Sequence, residues 1–526
     1  MRRETQLKKT LPIGKSTLEK ILMDNCVYVD KTQFVAQLVK SGGYYFLSRP
    51  RRFGKSLFLD TLKQAFLGNK SIFKGLYLEN HWNWDETYPV IHFDFGTSAA
   101  YNTEEKLIEA IWDVLRNCAR EYDVQFDNKD FGLAFHELIY KTATKTNKQL
   151  IILVDEYDKP ILDSITDMPK AALMREMLKS LYSVIKVNDA YLKFVFLTGV
   201  SKFSKAGLFS GLNNLNDITL NPSYADICGY TQTDLEKEFA DYLIEGKVDK
   251  TKLKLWYNGY NFSGTDNQKV YNPFDILLFF SNNFQYKAYW FETGSPSFLI
   301  KLIQKNKYYF PNMEEITIKE NMLSSFDLDN IALSVLLFQT GYLTIKSITT
   351  LGTQFAYVLG YPNAEVKASL NDKLAEIATT PERKEALLGR LNDCLLNSNI
   401  NEIGEIFQSH FASIPHDWYR NNDIQHYEGF YASIIYSCFC ALGYTVIAED
   451  NTNTGQMDLA VILPDKILIL EFKLKKNGDA LSALTQIKNK KYPDKYVAHK
   501  KPIYLLGMSF DSDARNLHDF LSEEYK

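Results

Sequence analysis

No run in the 526 residues approaches the ~20 apolar residues that a membrane-spanning helix requires. The basic start, "MRRETQLKKTLP", leads into no apolar stretch of export-signal length, so the expectation is a soluble, cytoplasmic protein with no membrane partner. Cysteine is scarce. Cys26, Cys118, Cys228, Cys394, Cys438 and Cys440 form no CxxC pair and no zinc-finger spacing, and their apolar neighbours fit reduced, buried thiols. No GxGxxG follows the first predicted strand, which leaves an oxidoreductase reading little support. There is no internal repeat and no low-complexity linker. Charge of one sign is missing too: 60 Lys and Arg face 64 Asp and Glu, a net of -4. Any nucleic-acid contact must therefore use local patches, such as Arg49, Arg51 and Arg52 or the lysines from Lys473 to Lys501.

What remains is an ordinary folded composition, 45% hydrophobic and 24% charged, long enough for roughly two to four domains. From Tyr44 to about Leu220, short apolar runs ("YYFLS", "PVIHFDF", "QLIILVD", "YLKFVFLTG") alternate with helical-period segments from Lys55, over Thr103–Tyr122, over Phe131–Lys145 and around Met168–Asn188. Strand and helix in repetition predict an α/β fold, a parallel sheet with helices on both faces and its ligand at the carboxyl ends of the strands. Residues 1–228 are assigned to this domain. Residues 229–420 read as a mostly helical middle region with a small β element at "YLTI" and "QFAYVLGYP", and residues 421–526 as a third unit. The expected order in that last unit is a helix over Tyr427–Leu442, three strands, a helix over Asp479–Lys491, a strand at "PIYLLG" and a closing helix.

"SRPRRFGKSLFLD" carries the Gly-Lys-Ser that ends a phosphate-binding loop, with Arg49 where the first glycine of the pattern belongs. Such a loop needs a strand before it and a helix after it, so that backbone N–H groups surround the phosphates, lysine reaches the β/γ-phosphates and a hydroxyl holds magnesium. "YYFLS" and "SLFLDTLKQAFL" supply both. The expected ATP-binding residues are Arg52, Phe53, Gly54, Lys55, Ser56 and Leu57. A second Gly-Lys-Ser, in "LPIGKSTLEK", lacks the preceding strand and reads as a capping box between Ser16 and Glu19. "LIILVDEYD" places Asp155 and Glu156 at the end of a buried strand, with Asp155 assigned to magnesium and Glu156 to activating water. At the end of "KFVFLTG", Thr198 or Ser201 would sense the γ-phosphate, and Lys202, Lys205, Arg51 or Arg52 would supply a cation unless they form a solvated basic patch.

In "KILILEFKL", Glu471 and Lys473 are two apart and share a sheet face. A hairpin turning at Pro464-Asp465 sets Asp458 opposite Glu471, which is unfavourable unless a cation lies between them. Asp458 and Glu471 would hold Mg2+, Glu428 on the preceding helix would complete the shell, and Lys473 would orient water or neutralise developing charge. The plainer reading is a solvated strand end, and a one-residue slip would turn Asp458 to the wrong face.

"YVDKT", "RPRRFGKSL", "LVDEYDKP", "LTGVSKFSK", "LFSGLNNLNDIT", "WYNGYNF", "YNPF", "GYLTI" and "YPNAEV" together resemble the bacterial AAA-ATPase-like proteins with a C-terminal PD-(D/E)xK nuclease-like domain. The likeness covers nearly the whole chain. It implies a P-loop NTPase domain, a restriction-endonuclease-like α/β domain at the end, and arginine at position 49 as a usual variant of the loop. Gln486 and Tyr492, in "QIKNKKY", resemble the motif after the catalytic strand of the RecB-like branch, and Lys488, Lys490 and Lys491 would meet a phosphate backbone. The expectation is a cytoplasmic, ATP- and Mg2+-using ATPase that gates a nuclease acting on nucleic acid, DNA first, in DNA processing or defence. The alternative is a nucleotide-dependent regulatory or scaffold protein whose last domain binds without cleaving. Sites of this type often borrow an arginine from a neighbouring subunit, so a homo-oligomer is a further expectation.

Overall fold

The computed structural model describes residues 8–96, 101, 103–203, 208, 212, 214–265, 268–291, 299, 310–323, 332–376, 379–414, 428–452 and 455–525. Its first sheet is built from β1 (Gly43–Ser48), β2 (Val90–Asp94), β3 (Leu150–Asp155), β4 (Leu192–Gly199) and β5 (Leu215–Asp217), in the order β2-β3-β4-β1-β5. Every neighbouring pair is parallel. These strands read as apolar runs because both faces are covered. Phe194 and Phe196 of β4 meet Phe66 and Phe58 of the helix Lys55–Phe66, at 5.3 and 5.8 Å between ring centroids. Phe93, which the register places on the opposite face, meets Phe135 of the helix Phe131–Thr146 at 5.2 Å. After β1 the chain crosses to the far edge, builds inward through β3 and β4, and then adds β5 on the other side of β1. The order reverses at β1, so a ligand crevice belongs at its carboxyl end.

The chain divides into two compact units, one of Met1–Gly294 with Ile316–Asn363, the other of Ser295–Glu315 with Ala364–Lys526. The stretch 229–420 is thus shared between them. In the first unit, the helices Gln232–Glu238, Lys250–Tyr257 and Pro273–Ser281 bury Phe239, Tyr257, Phe279 and Phe280 in one cluster with Val27 and Val29. The tyrosine- and phenylalanine-rich segment is therefore core material. β6 (Ile316–Lys319), β7 (Thr344–Leu351) and β8 (Gln354–Gly360) form a small antiparallel sheet in the order β6-β8-β7.

The second unit holds β9 (Thr445–Thr452), β10 (Gly455–Ile462), β11 (Ile467–Leu474), β12 (Ile503–Asp511) and β13 (Asn516–Tyr525), in the order β13-β12-β11-β10-β9. β11 and β12 are parallel and are joined by a crossover containing the helix Ala480–Asn489. The helix Glu428–Ala441 is buried along almost its whole length. The closing helix expected from the sequence is instead β13. It pairs antiparallel with β12 from Ile503–Tyr525 to Asp511–Asn516, so the ladder of β12 is satisfied on both sides and local helical preference gives way.

Candidate functional site

Two groups of side chains gather at strand ends, one in each unit. In the first, β1 stops at Ser48 and the helix begins at Lys55, with Gly54 between them at φ +95, where a side chain would be strained. Lys55 Nζ donates to the carbonyls of Arg49 and Pro50, both at 2.9 Å, which holds the ammonium against its own loop. Burial pulls the pKa of Lys55 down, against the pull of Asp155 and Glu156 nearby. Burial raises the pKa of Asp155 to about 6, and the neighbouring Ser56 hydroxyl and Lys55 work against that rise. Asp155 stands in register with Asp94 of β2. Glu156 follows at φ +48, its N–H bonded to Asp155 Oδ1 at 2.9 Å. Gly96 lets these acids close up, since a Cβ there would lie 3.1 Å from both Asp94 Oδ1 and the Glu156 carboxyl.

Thr198, the last residue but one of β4, lies on the Asp155 face; it is fully buried and its Oγ1 has no partner among the described residues. Ser201 is committed elsewhere, its N–H and hydroxyl both donated to Asp158. Lys202 is paired with Asp217 and is no free cation, and Lys205 lies outside the described residues. Phe53 is a packing anchor, edge-on to Tyr260 and Phe262.

Arg49 is fully buried and touches no phosphate side of the loop. Nη1 donates to Ser48 O at 2.9 Å and Thr219 O at 2.8 Å, Nη2 to Tyr224 O at 3.0 Å, and the guanidinium lies 4.0 Å from the Phe262 ring centroid. Burial lowers its pKa to about 10 without removing the charge. Arginine replaces glycine here because the side chain fastens the loop's start to the segment after β5.

A cavity of about 520 Å³ opens over the loop, within the range of small-molecule sites, and takes in residues 51–58, Glu156 and Lys159. Pro12, Gly14, Lys15 and Ser16 also line it. The second Gly-Lys-Ser is therefore part of a wall around the loop. Its expected capping box is absent: the cap of the helix Leu18–Met23 is Thr17, with no side-chain bond, and Leu18 N donates to Asp60 Oδ2 at 2.7 Å.

In the second unit, β10 and β11 pair from Ile462–Ile467 to Leu459–Leu470 around the Pro464-Asp465 turn, and the next step sets Asp458 beside Glu471. Glu471 is 1% exposed. Its Oε1 accepts from Lys473 Nζ at 2.9 Å and from Gln486 Nε2, while Oε2 has no partner among the described residues. Asp458 Oδ2 accepts from Phe472 N at 2.7 Å, and Glu428 Oε2 from Leu474 N at 2.9 Å, so all three acids are tied to the same strand. Burial raises the pKa of Glu471 and of Asp458, and the charge of each neighbouring acid adds to the rise. Tyr492 donates to Gln456 O at 2.7 Å. Lys488 is paired with Glu523, and Lys490 and Lys491 are exposed. The bare Oε2 of Glu471, next to Asp458, is where a hard cation fits. Among the described residues no three His, Cys, Asp or Glu side chains gather to hold a metal alone. Two carboxylates completed by water and phosphate are the usual Mg2+ arrangement.

Residues 12–209 match the family model described as predicted AAA-ATPase, and residues 426–520 match the PD-(D/E)XK nuclease superfamily. A protein of Azotobacter chroococcum mcd 1, "Uncharacterized protein in vnfD 5'region", is 44% identical over 519 residues, covering 98% of this chain and 99% of that one. The chain belongs to the AAA-ATPase-like proteins with a PD-(D/E)XK nuclease-superfamily domain. In this AAA-ATPase-like protein the sequence reading missed Asp94, although an acid closing an apolar strand is the same signal that singled out Asp155. It also missed Glu449, which the β9–β10 register sets beside Asp458. Among the described residues no helix is long and apolar enough to cross a membrane.

Proposed function

We propose that the chain binds and hydrolyses Mg-ATP at the Lys55 loop and cleaves phosphodiester bonds of nucleic acid, DNA first, at the Asp458–Glu471 pair. The observation that carries the second half is the buried, unpartnered Oε2 of Glu471 in register with Asp458, with Lys473 bonded to the other oxygen. A solvated strand end would not bury Glu471 beside a second, half-buried acid.

Magnesium would be held by Ser56 and Asp155 in one site and by Asp458 and Glu471, with Glu428 behind them, in the other, supplying charge neutralisation and acidification of water. Around the loop, the N–H groups of residues 52–57 surround the phosphates, Lys55 leaves its two carbonyls for the β/γ oxygens, Glu156 takes the proton of the attacking water, and the Thr198 hydroxyl orients it. In the C-terminal domain, Lys473 neutralises charge on the phosphate oxygens and Gln486 fixes Glu471 Oε1 so that Oε2 faces the cation. Nucleotide state would gate the nuclease. All six cysteines are buried free thiols, in keeping with a reducing cytoplasm.

The test is cleavage of single- and double-stranded DNA and RNA with Mg2+ or Mn2+, with and without ATP, by wild type and Asp458→Ala. Cleavage lost in the variant supports the reading. Nucleic acid left intact by both, but bound by both, would replace it with a binding module.

A further inference from the structure

Transfer of a γ-phosphoryl group builds charge on its oxygens, and a cation beyond the loop lysine commonly meets it. Lys202 is bound to Asp217, and the Arg52 guanidinium rests 5.0 Å from the ring centroid of Phe274. We propose that Lys159 supplies this cation in cis, an inference that rests on the nucleotide-binding reading above.

Lys159 lines the same cavity as Lys55, Ser56 and Glu156. Its N–H donates to Glu156 O at 2.9 Å, so its side chain starts within one turn of the acid assigned to the attacking water. Ser56, in the first turn of the helix after the loop, and Asp155, at the end of β3, are the residues assigned to magnesium. Magnesium held there would neutralise phosphate charge and draw the γ-phosphate toward the end of β3, the side on which Lys159 stands. Its Nζ is held 2.8 Å from Asp163 Oδ2, with the two side chains 20% and 15% exposed. Asp163 also accepts from Tyr101 N at 3.2 Å and keeps that partner when the lysine turns away. The Lys159–Asp163 pair is a single i,i+4 contact on a five-residue helix, and a phosphate in the cavity competes for the same ammonium.

In the step itself, water adds to the γ-phosphorus and gives its proton to Glu156. The bond to the bridging oxygen breaks with its electron pair staying on ADP. Lys159 contacts a γ oxygen and takes no part in the proton transfer.

The full chain is compared with Lys159→Ala and Lys159→Arg by ATPase kinetics and by calorimetric binding of Mg-ADP with and without aluminium fluoride. Expected for Lys159→Ala are a kcat lower by roughly 10²–10³-fold, nearly unchanged ADP affinity, and loss of the extra affinity that aluminium fluoride confers. Lys159→Arg recovers a large part of both. A merely structural role would not separate ADP from its aluminium fluoride complex. Wild-type kcat and fluoride-dependent tightening in Lys159→Ala would overturn the assignment while leaving the nucleotide site intact. Equal loss of ADP binding and turnover would also overturn it. A wild-type chain that binds no ADP would remove both the site and the proposal.

Discussion

Arg49→Gly would give the loop the first glycine that its pattern asks for, and the structure predicts that the change is harmful. The guanidinium is fully buried and makes three hydrogen bonds to carbonyls. Without it, Tyr224 O keeps a bond from Ile227 N at 3.3 Å, whereas Thr219 O loses its bond inside the protein. A stranded buried carbonyl costs about 1–3 kcal/mol, and a desolvated cation over an aromatic ring contributes about 2 kcal/mol. The void left by the side chain adds to these, while relief from burying a charge subtracts. The net expectation is a loss of about 2–5 kcal/mol. Urea unfolding at 25 °C, followed by tryptophan fluorescence, should show a lower midpoint at unchanged slope for the first transition, and Arg49→Lys should fall between the two because an ammonium cannot fork to both Thr219 O and Tyr224 O. A glycine variant within about 0.5 kcal/mol of wild type would refute the clamp.

Lys55→Ala is expected to abolish binding of a fluorescent ATP analogue, whereas Glu156→Gln keeps binding and slows hydrolysis; equal loss of binding in both would contradict the division of roles. Asp458→Asn should stabilise the chain in EDTA at pH 8 by about 1–3 kcal/mol, and the gain should shrink toward pH 5. The sign follows from the raised carboxyl: between its unfolded and folded pKa values the native state holds more protons, so wild-type stability falls as pH rises. A gain that grew as pH fell would oppose this. Asp60→Ala should cost about 1 kcal/mol by leaving Leu18 N bare, read from the same urea curves.

The parallel sheet was legible because strands covered on both faces read as unbroken apolar runs, and the loop because Gly54-Lys55-Ser56 sits between such a run and a periodic helix. The facing of Asp458 and Glu471 was legible because Pro464-Asp465 closes a two-residue turn and so sets the register. The role of Arg49 was hidden, since two of its three acceptors lie 170 and 175 residues away in the chain. Long-range satisfaction of a helix start likewise escaped: Ser16 and Glu19 look like a capping box, but Asp60 serves the first N–H from 42 residues away. The final strand escaped for a related reason. "NLHDFLSEEY" reads locally as a helix, and it is the open edge of β12 that makes it extend.

A crystal grown with Mn2+ and a non-hydrolysable ATP analogue tests the two-site account most directly. Anomalous peaks are predicted between Ser56 and Asp155, next to the nucleotide phosphates, and between Asp458 and Glu471 Oε2. A nucleotide bound away from Lys55, or Glu471 Oε2 without a metal at saturating Mn2+, would contradict it.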